Sequence, residues 1–175
     1  MSKLDLQTKD GKNYTIRRAR GEDAGKIVDC INSVGAEKIH IVIEKFSHNA
    51  EWEKNYIESL DLDNVLYLVV EMKGAIVGML SLEREKYNKL MHTATLGMIL
   101  MKGYRQSGIG SALLETSIEW AKLKKIKKIC LSCFSTNRAA ITLYKKFGFE
   151  EEGRRKNQFK IDGKYADEVI MALWV

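Results

Sequence analysis

The sequence predicts an α+β (α/β) fold, a mixed and mostly antiparallel central sheet of about six to seven strands flanked by about four helices. Three observations carry this expectation. The apolar run from Ala94 to Met101, bounded by Gly103, is long enough for one strand and short for a buried helix, and it leads through a glycine-rich turn into a segment of helical period. Two strongly apolar runs, Val65 to Glu71 and Ile76 to Leu82, stand just before it, separated by a turn of hairpin length, Met72-Lys73-Gly74-Ala75. Another apolar run, Ile129 to Phe134, follows the helical segment. The 175 residues fit one domain over 1–175, and 45% hydrophobic content is enough for a sizeable core.

From the start of the chain, Asn13 to Ala19 alternates as a half-buried strand does, and Gly21-Glu22-Asp23 opens a helix carrying Ile27, Val28 and Ile31. Phe46, Trp52, Tyr56, Ile57 and Leu60 are spaced for an amphipathic helix from about Ala50. Between these, Val34 to Phe46 fits a short strand, a helix start or a loop equally well. In the Ile76 strand, Gly78 marks a bulge or the close approach of another backbone. Ile109, Ala112, Leu113, Trp120 and Leu123 give the long helix, Ser111 to Lys122, its apolar face. The lysines from Lys124 to Lys128 read as a solvated connection. Thr136 or Asn137 then caps a short helix that buries Ala140, Leu143, Tyr144 and Phe147, with Gly148 as a left-handed C-cap.

Composition argues against several classes of function. The net charge of +6 is interspersed with 23 acidic residues and forms no polybasic arm, so nucleic acid is not an expected partner. No stretch approaches about 18 consecutive apolar residues, and MSKLDLQTKDGKNY lacks the apolar core of a secretion signal, so a cytoplasmic protein with no membrane partner is expected. Three cysteines in such a protein are free thiols. Cys130 and Cys133 form a C-x-x-C pattern, but residues three apart in a strand point to opposite faces. The two cannot share a metal or a disulfide, so ordinary buried cysteines and no metal are expected.

The glycine-rich turn carries the chemistry. Lys102-Gly103-Tyr104-Arg105-Gln106-Ser107-Gly108-Ile109-Gly110 lies between a strand and a helix. Glycines let a backbone bring its N–H groups close to a ligand, and a helix N-terminus adds unpaired donors and partial positive charge. Together they cradle phosphate oxygens. A Walker A loop needs Gly-Lys-Ser/Thr, but Gly110 is followed by Ser111-Ala112. A dinucleotide fingerprint needs glycine or alanine where Leu113 stands. Arg105-x-x-Gly108-x-Gly110 remains, and it resembles the pyrophosphate loop of the GNAT superfamily of acetyl-CoA-dependent N-acetyltransferases, R/Q-x-x-G-x-G/A. Further on, Asn137-x-x-Ala140-x-x-Leu143-Tyr144-x-x-x-Gly148-Phe149 resembles the segment that follows the cofactor-side strand in that family. Phe149 onward, with Asp162-Gly163-Lys164-Tyr165 and Val169 to Leu173, is similar to its closing pair of strands joined by a hairpin.

The resemblance implies acetyl-CoA as cosubstrate and an amine as its partner in the reaction. Main-chain groups over Met98, Ile99 and Leu100 would pair with the pantetheine arm and thioester, as an added strand does. The N–H groups of Arg105, Gln106, Ser107, Gly108, Ile109, Gly110 and Ser111 would hold the pyrophosphate, and Asn137 and Arg138 would contact the pantetheine or a phosphate. Tyr144 would donate a proton to the leaving thiolate. An amine is mostly protonated at pH 7 and must lose a proton before it attacks. Many relatives carry an acid near Thr95, where this chain has none; Glu83, Glu85, His92 or water is left as the base. Relatives also commonly have glycine where Gln106 stands. The acceptor implied is a small molecule with an α-amino group, such as an amino acid, with Arg84, Lys38 or Arg155 available to a carboxylate. A ribosomal-protein-like N-terminus or a catalytically silent acyl-CoA-binding module is the alternative, and a homodimer is plausible for the family.

Overall fold

In the computed structural model, which describes residues 3–175, the extended segments form a single sheet. In chain order the elements are β1 (Leu4–Gln7), β2 (Asn13–Arg18), α1 (Ala24–Gly35), α2 (Ala50–Glu58), β3 (Val65–Met72), β4 (Ala75–Arg84), β5 (Thr93–Leu100), α3 (Ile109–Leu123), β6 (Lys128–Phe134), α4 (Arg138–Lys146), β7 (Glu150–Ile161) and β8 (Lys164–Trp174). The sheet runs β1-β2-β3-β4-β5-β6-β8-β7, and every neighbouring pair is antiparallel except β5 with β6. Eight strands are thus present among the described residues, one more than the sequence suggested. The addition is β1, whose Leu4 and Leu6 are only half-buried on an edge strand.

Alternation in β3 shows how the two faces are filled. Leu66, Leu68, Val70 and Met72 join Leu80, Leu82, Leu96, Leu113 and Trp120 in one core, beneath α3 and α4. Tyr67 and Val69 point the other way and pack with Ile27, Cys30, Ile31 and Ile57 from α1 and α2. A strand buried on both faces reads as a continuous apolar run, which is why β3 was conspicuous in sequence. Lys73 and Gly74 both have positive φ, as do Asp162 and Gly163. These are two-residue hairpin turns whose twist matches that of the strands they join. Gly78 serves both of its expected roles. The β3–β4 register shifts beside it, and a Cβ there would collide with Leu100 Cδ2 and lie 2.9 Å from the Ile99 carbonyl oxygen.

The ambiguous stretch resolves into the end of α1, up to Gly35, and a strap over residues 36–49 with no helix or strand. Asn32 Oδ1 accepts from the Phe46 N–H at 2.7 Å, folding the strap back onto α1. Cys130 and Cys133 lie on opposite faces as expected but are half-buried rather than buried; only Cys30 lies in a core. Burial pushes the Cys30 thiol up to about 12 and Cys133 up to about 11, so neither is a ready thiolate.

The start of α1 is fixed by a buried ion cluster. Arg17 on β2 binds Asp23 through both terminal guanidinium nitrogens, at 2.7 and 2.8 Å, and Glu71 on β3 through Nε at 2.9 Å. Burial is the largest influence on Asp23 and pushes its carboxyl up, but Arg17 and the Arg20 N–H together outweigh it and leave it below the usual range. A lowered folded pKa contributes stability above the unfolded value near 3.9 and loses it as pH falls through the folded one. Asp23→Ala is expected to cost about 3 kcal/mol, because Arg17 would remain buried and half-paired. Urea unfolding at pH 7 checks the cost. At pH 2 the gap between variant and wild type should narrow.

Candidate active site

Two neighbouring strands part in the middle of the sheet. The parallel pairing of β5 with β6 runs only from Thr93 with Lys128 to Thr95 with Cys130; above it, Leu96 to Leu100 has no partner strand on that side. Met101 N–H donates to Val77 O on β4 at 2.9 Å. Alternation along the strand therefore turns the main-chain groups of Met98 and Leu100 into the gap and those of Ile99 toward β4. Unpaired strand groups inside a sheet are a template for an extended polar chain.

At the top of the gap the chain turns through residues 101–108 into α3. Gly103, Gln106 and Gly108 have φ of 93°, 61° and 98°. Gly108 is the N-cap of α3 and supplies no side-chain cap, so the first-turn N–H groups of Ile109, Gly110 and Ser111 have no intrahelical acceptor. A Cβ on Gly110 would lie 3.0 Å from Leu143 Cδ2 of α4, so α4 packs directly on this first turn. The outer rim is closed by the β1–β2 turn, where Lys9 N–H donates to Ser107 O at 2.9 Å. A cavity of about 250 Å³ lies between that turn and the loop, lined in part by Lys9, Lys12 and Gln106.

The Arg105 side chain has a separate task. Its Nε donates to Leu100 O at 2.8 Å, and its terminal nitrogens bind both Glu37 carboxylate oxygens, at 2.5 and 2.8 Å. His40 Nε2 lies 2.7 Å from the same guanidinium. Arg105 thus ties the strap to the end of β5. Nothing in the sequence flagged Glu37 or His40, which lie more than sixty positions from their partner.

Asn137 caps α4, its Oδ1 accepting from Ala140 N–H at 3.3 Å, which leaves its amide NH₂ free to donate; Arg138 beside it is exposed. Tyr144 is buried, 6% exposed, with its ring 5.6 Å from Phe149. Burial, with the Cys133 thiol nearby, holds its phenol above the usual tyrosine range, so it is a neutral donor at pH 7. The cradle, the open strand and α4 therefore meet around Gly110, Met98, Leu100 and Leu143.

The model of the Acetyltransferase (GNAT) family matches residues 35–149, which hold the opened strand, the glycine loop and α4. The chain belongs to the GNAT family. It is an acetyl-CoA-dependent N-acetyltransferase. An L-amino acid N-acetyltransferase of Escherichia coli is 32% identical over 116 residues, 64% of this chain and 70% of the relative. A ribosomal protein bS18 alanine N-acetyltransferase of the same species is 27% identical over 132 residues, 75% of this chain and 86% of that one. Among solved structures, a GNAT acetyltransferase of Streptococcus pneumoniae superposes with TM-score 0.87 at 28% identity, over 93% of this chain and 99% of the other.

Two positions depart from the GNAT pattern described above. Gln106, where glycine is common, holds left-handed backbone. Gln106→Gly is expected to raise stability by about 0.5–1 kcal/mol through relief of that strain, read as a higher urea midpoint. The second departure is Thr95, exposed on the α1–α2 side of the sheet. Glu83 stands directly across from it on β4, and Glu85 Oε1 accepts from its hydroxyl at 3.0 Å. Tyr56 donates to Glu83 at 2.8 Å. His92 directly precedes β5 and is stacked on Trp174 with centroids 6.5 Å apart. Of the cations offered to a carboxylate, Arg84 is engaged by Asn64 and the Lys124 carbonyl, whereas Lys38 and Arg155 are in loose or exposed pairs with Asp162 and Glu168.

Proposed function

We propose that this GNAT enzyme acetylates the α-amino group of a small molecule such as an amino acid. The observation that carries the reading is the strap over residues 36–49, which is fastened on both sides of the opened strands. Glu37 holds it to Arg105 on one side, and Lys38 reaches Asp162 at the β7–β8 turn, 3.6 Å away, on the other. A strap tied at Glu37 and Lys38 to both sides of the opened strands leaves less room for a folded protein's terminus than for a small acceptor. The Lys38–Asp162 pair is exposed, hence weak, and a substrate carboxylate can replace Asp162.

Acetyl-CoA supplies the acetyl group as an activated thioester. Main-chain groups of Met98 and Leu100, flanking Ile99, hold its extended arm. The N–H groups from Arg105 through Gln106, Ser107, Gly108, Ile109, Gly110 and Ser111 take its pyrophosphate, and Asn137 and Arg138 contact the arm or a phosphate. Tyr144, kept neutral by burial, supplies the proton for the departing sulfur.

Thiol release measured with L-amino acids, polyamines and a peptide bearing N-terminal alanine tests the reading. Free amino acids are expected to give the highest kcat/KM. A preference for the peptide would replace this reading with N-terminal acetylation of a protein, as the name of the ribosomal relative suggests. Acetyl-CoA binding without turnover of any amine would leave a silent binding module.

A further inference from the structure

We propose that Glu85 is the proton acceptor of the transfer and that Thr95 is its positioning residue. The proposal rests on the transferase reading above. The strap that this reading places beside the acceptor lies on the α1–α2 side of the sheet, so the amine would lose its proton there. Several groups on or near that side could take it, and their contacts separate them. Glu37 is bound to Arg105 by two charged hydrogen bonds. His40 faces the same guanidinium. Glu53 is buried beneath α2 and accepts from Tyr67 Oη at 2.8 Å. His48 is stacked on Trp52 with centroids 3.9 Å apart. Glu83 is exposed and turned toward α2 by Tyr56. His92 directly precedes β5 and is engaged by Trp174, on which its ring stacks.

Glu53 and Glu83 are also held by hydroxyls, and Glu85 differs from them in its place. It follows the last residue of β4, and its main-chain N–H donates to Thr93 O at 3.1 Å, which fixes its backbone beside β5. The side chain is half-buried, and the Thr95 hydroxyl holds one carboxylate oxygen at 3.0 Å. Thr95 pairs with Cys130, and this is the last pair before the two strands separate. The carboxylate therefore sits at the floor of the gap, held by a neutral donor, with no cation within ion-pair distance among the described residues. A carboxylate engaged only by a hydroxyl keeps its second oxygen available to an N–H donor.

The acceptor arrives as an ammonium and gives one proton to the Glu85 carboxylate, directly or through one water. Its lone pair then forms the C–N bond at the thioester carbonyl while the C–S bond breaks. The sulfur departs with the bonding pair and takes a proton from Tyr144. The second nitrogen proton balances that donation, so the sum is an amide, a thiol and one H⁺ released.

Glu85→Gln is expected to lower kcat about 100-fold and to remove the acidic limb of the kcat/KM profile, with stabilisation by acetyl-CoA unchanged. Glu83→Gln should stay within about threefold of wild type. Thr95→Glu added to Glu85→Gln should restore about tenfold, because a carboxylate from the facing position reaches the same floor. A Glu85→Gln enzyme within about threefold of wild type and with its acidic limb intact would overturn the proposal, as would transfer of the whole loss to Glu83→Gln. Wild type that is stabilised by acetyl-CoA but releases thiol with no amine would overturn the transferase reading and this role together.

Discussion

Gly108→Glu should abolish the stabilisation that acetyl-CoA gives the wild-type protein. A ligand that binds only the folded state adds RT ln(1 + [L]/Kd), about 2.7 kcal/mol at a hundredfold excess over Kd. Two physical effects remove it in the variant. Gly108 has φ of 98°, a conformation that costs an ordinary L-residue about 1–2 kcal/mol, so the loop would shift. A carboxylate would also stand where the unpaired N–H groups of the α3 first turn await an anion. Thermal unfolding with and without acetyl-CoA reads the difference, and circular dichroism of the ligand-free variant verifies that it is folded. Gly108→Ala separates the causes: it keeps the strain without the charge and should retain part of the shift. A full shift in Gly108→Glu would place the phosphates elsewhere.

Tyr144→Phe is expected to lower kcat about 100-fold while leaving the acetyl-CoA shift intact, since only the hydroxyl is removed from a ring that packs on Phe149. The sign of the pH effect follows from the environment. Burial first, and the neighbouring Cys133 second, disfavour the phenolate and raise the pKa. An acid whose pKa is raised keeps its proton through the neutral range, so the wild-type rate should not fall on the alkaline side until above the ordinary tyrosine value near 10. A wild-type rate that declines from pH 8 would show that another group delivers the proton.

How much of this could be read from sequence depends on how local the cause is. The two hairpins were legible because Lys73-Gly74 and Asp162-Gly163 impose their own backbone geometry. The glycine loop was legible for the same reason, and so was the burial of Tyr144, which follows from helical spacing on α4. The strand β1 was not, because four residues with two half-buried leucines carry too little pattern. Nor was the strap, whose course is set by Asn32, Arg105 and Asp162, partners brought to it only by the finished fold. The parting of β5 and β6 was not legible either, because periodicity cannot reveal a missing neighbour.

The parted strands also bear on how the protein avoids self-association. Exposed strand edges invite pairing with other chains, and proteins commonly blunt them with charge and irregularity. The outer strand β7 carries Glu150, Glu151, Glu152, Arg154, Arg155, Lys156 and Lys160, and its register with β8 shifts twice. The main-chain groups of Met98 carry no such protection, and at Leu100 only the carbonyl is engaged, by Arg105 Nε; both residues are recessed beside the gap between β5 and β6, against the first turn of α3 and α4. Hydrogen-bonding capacity that would be an aggregation hazard at the rim is thereby kept safely in the middle of the sheet.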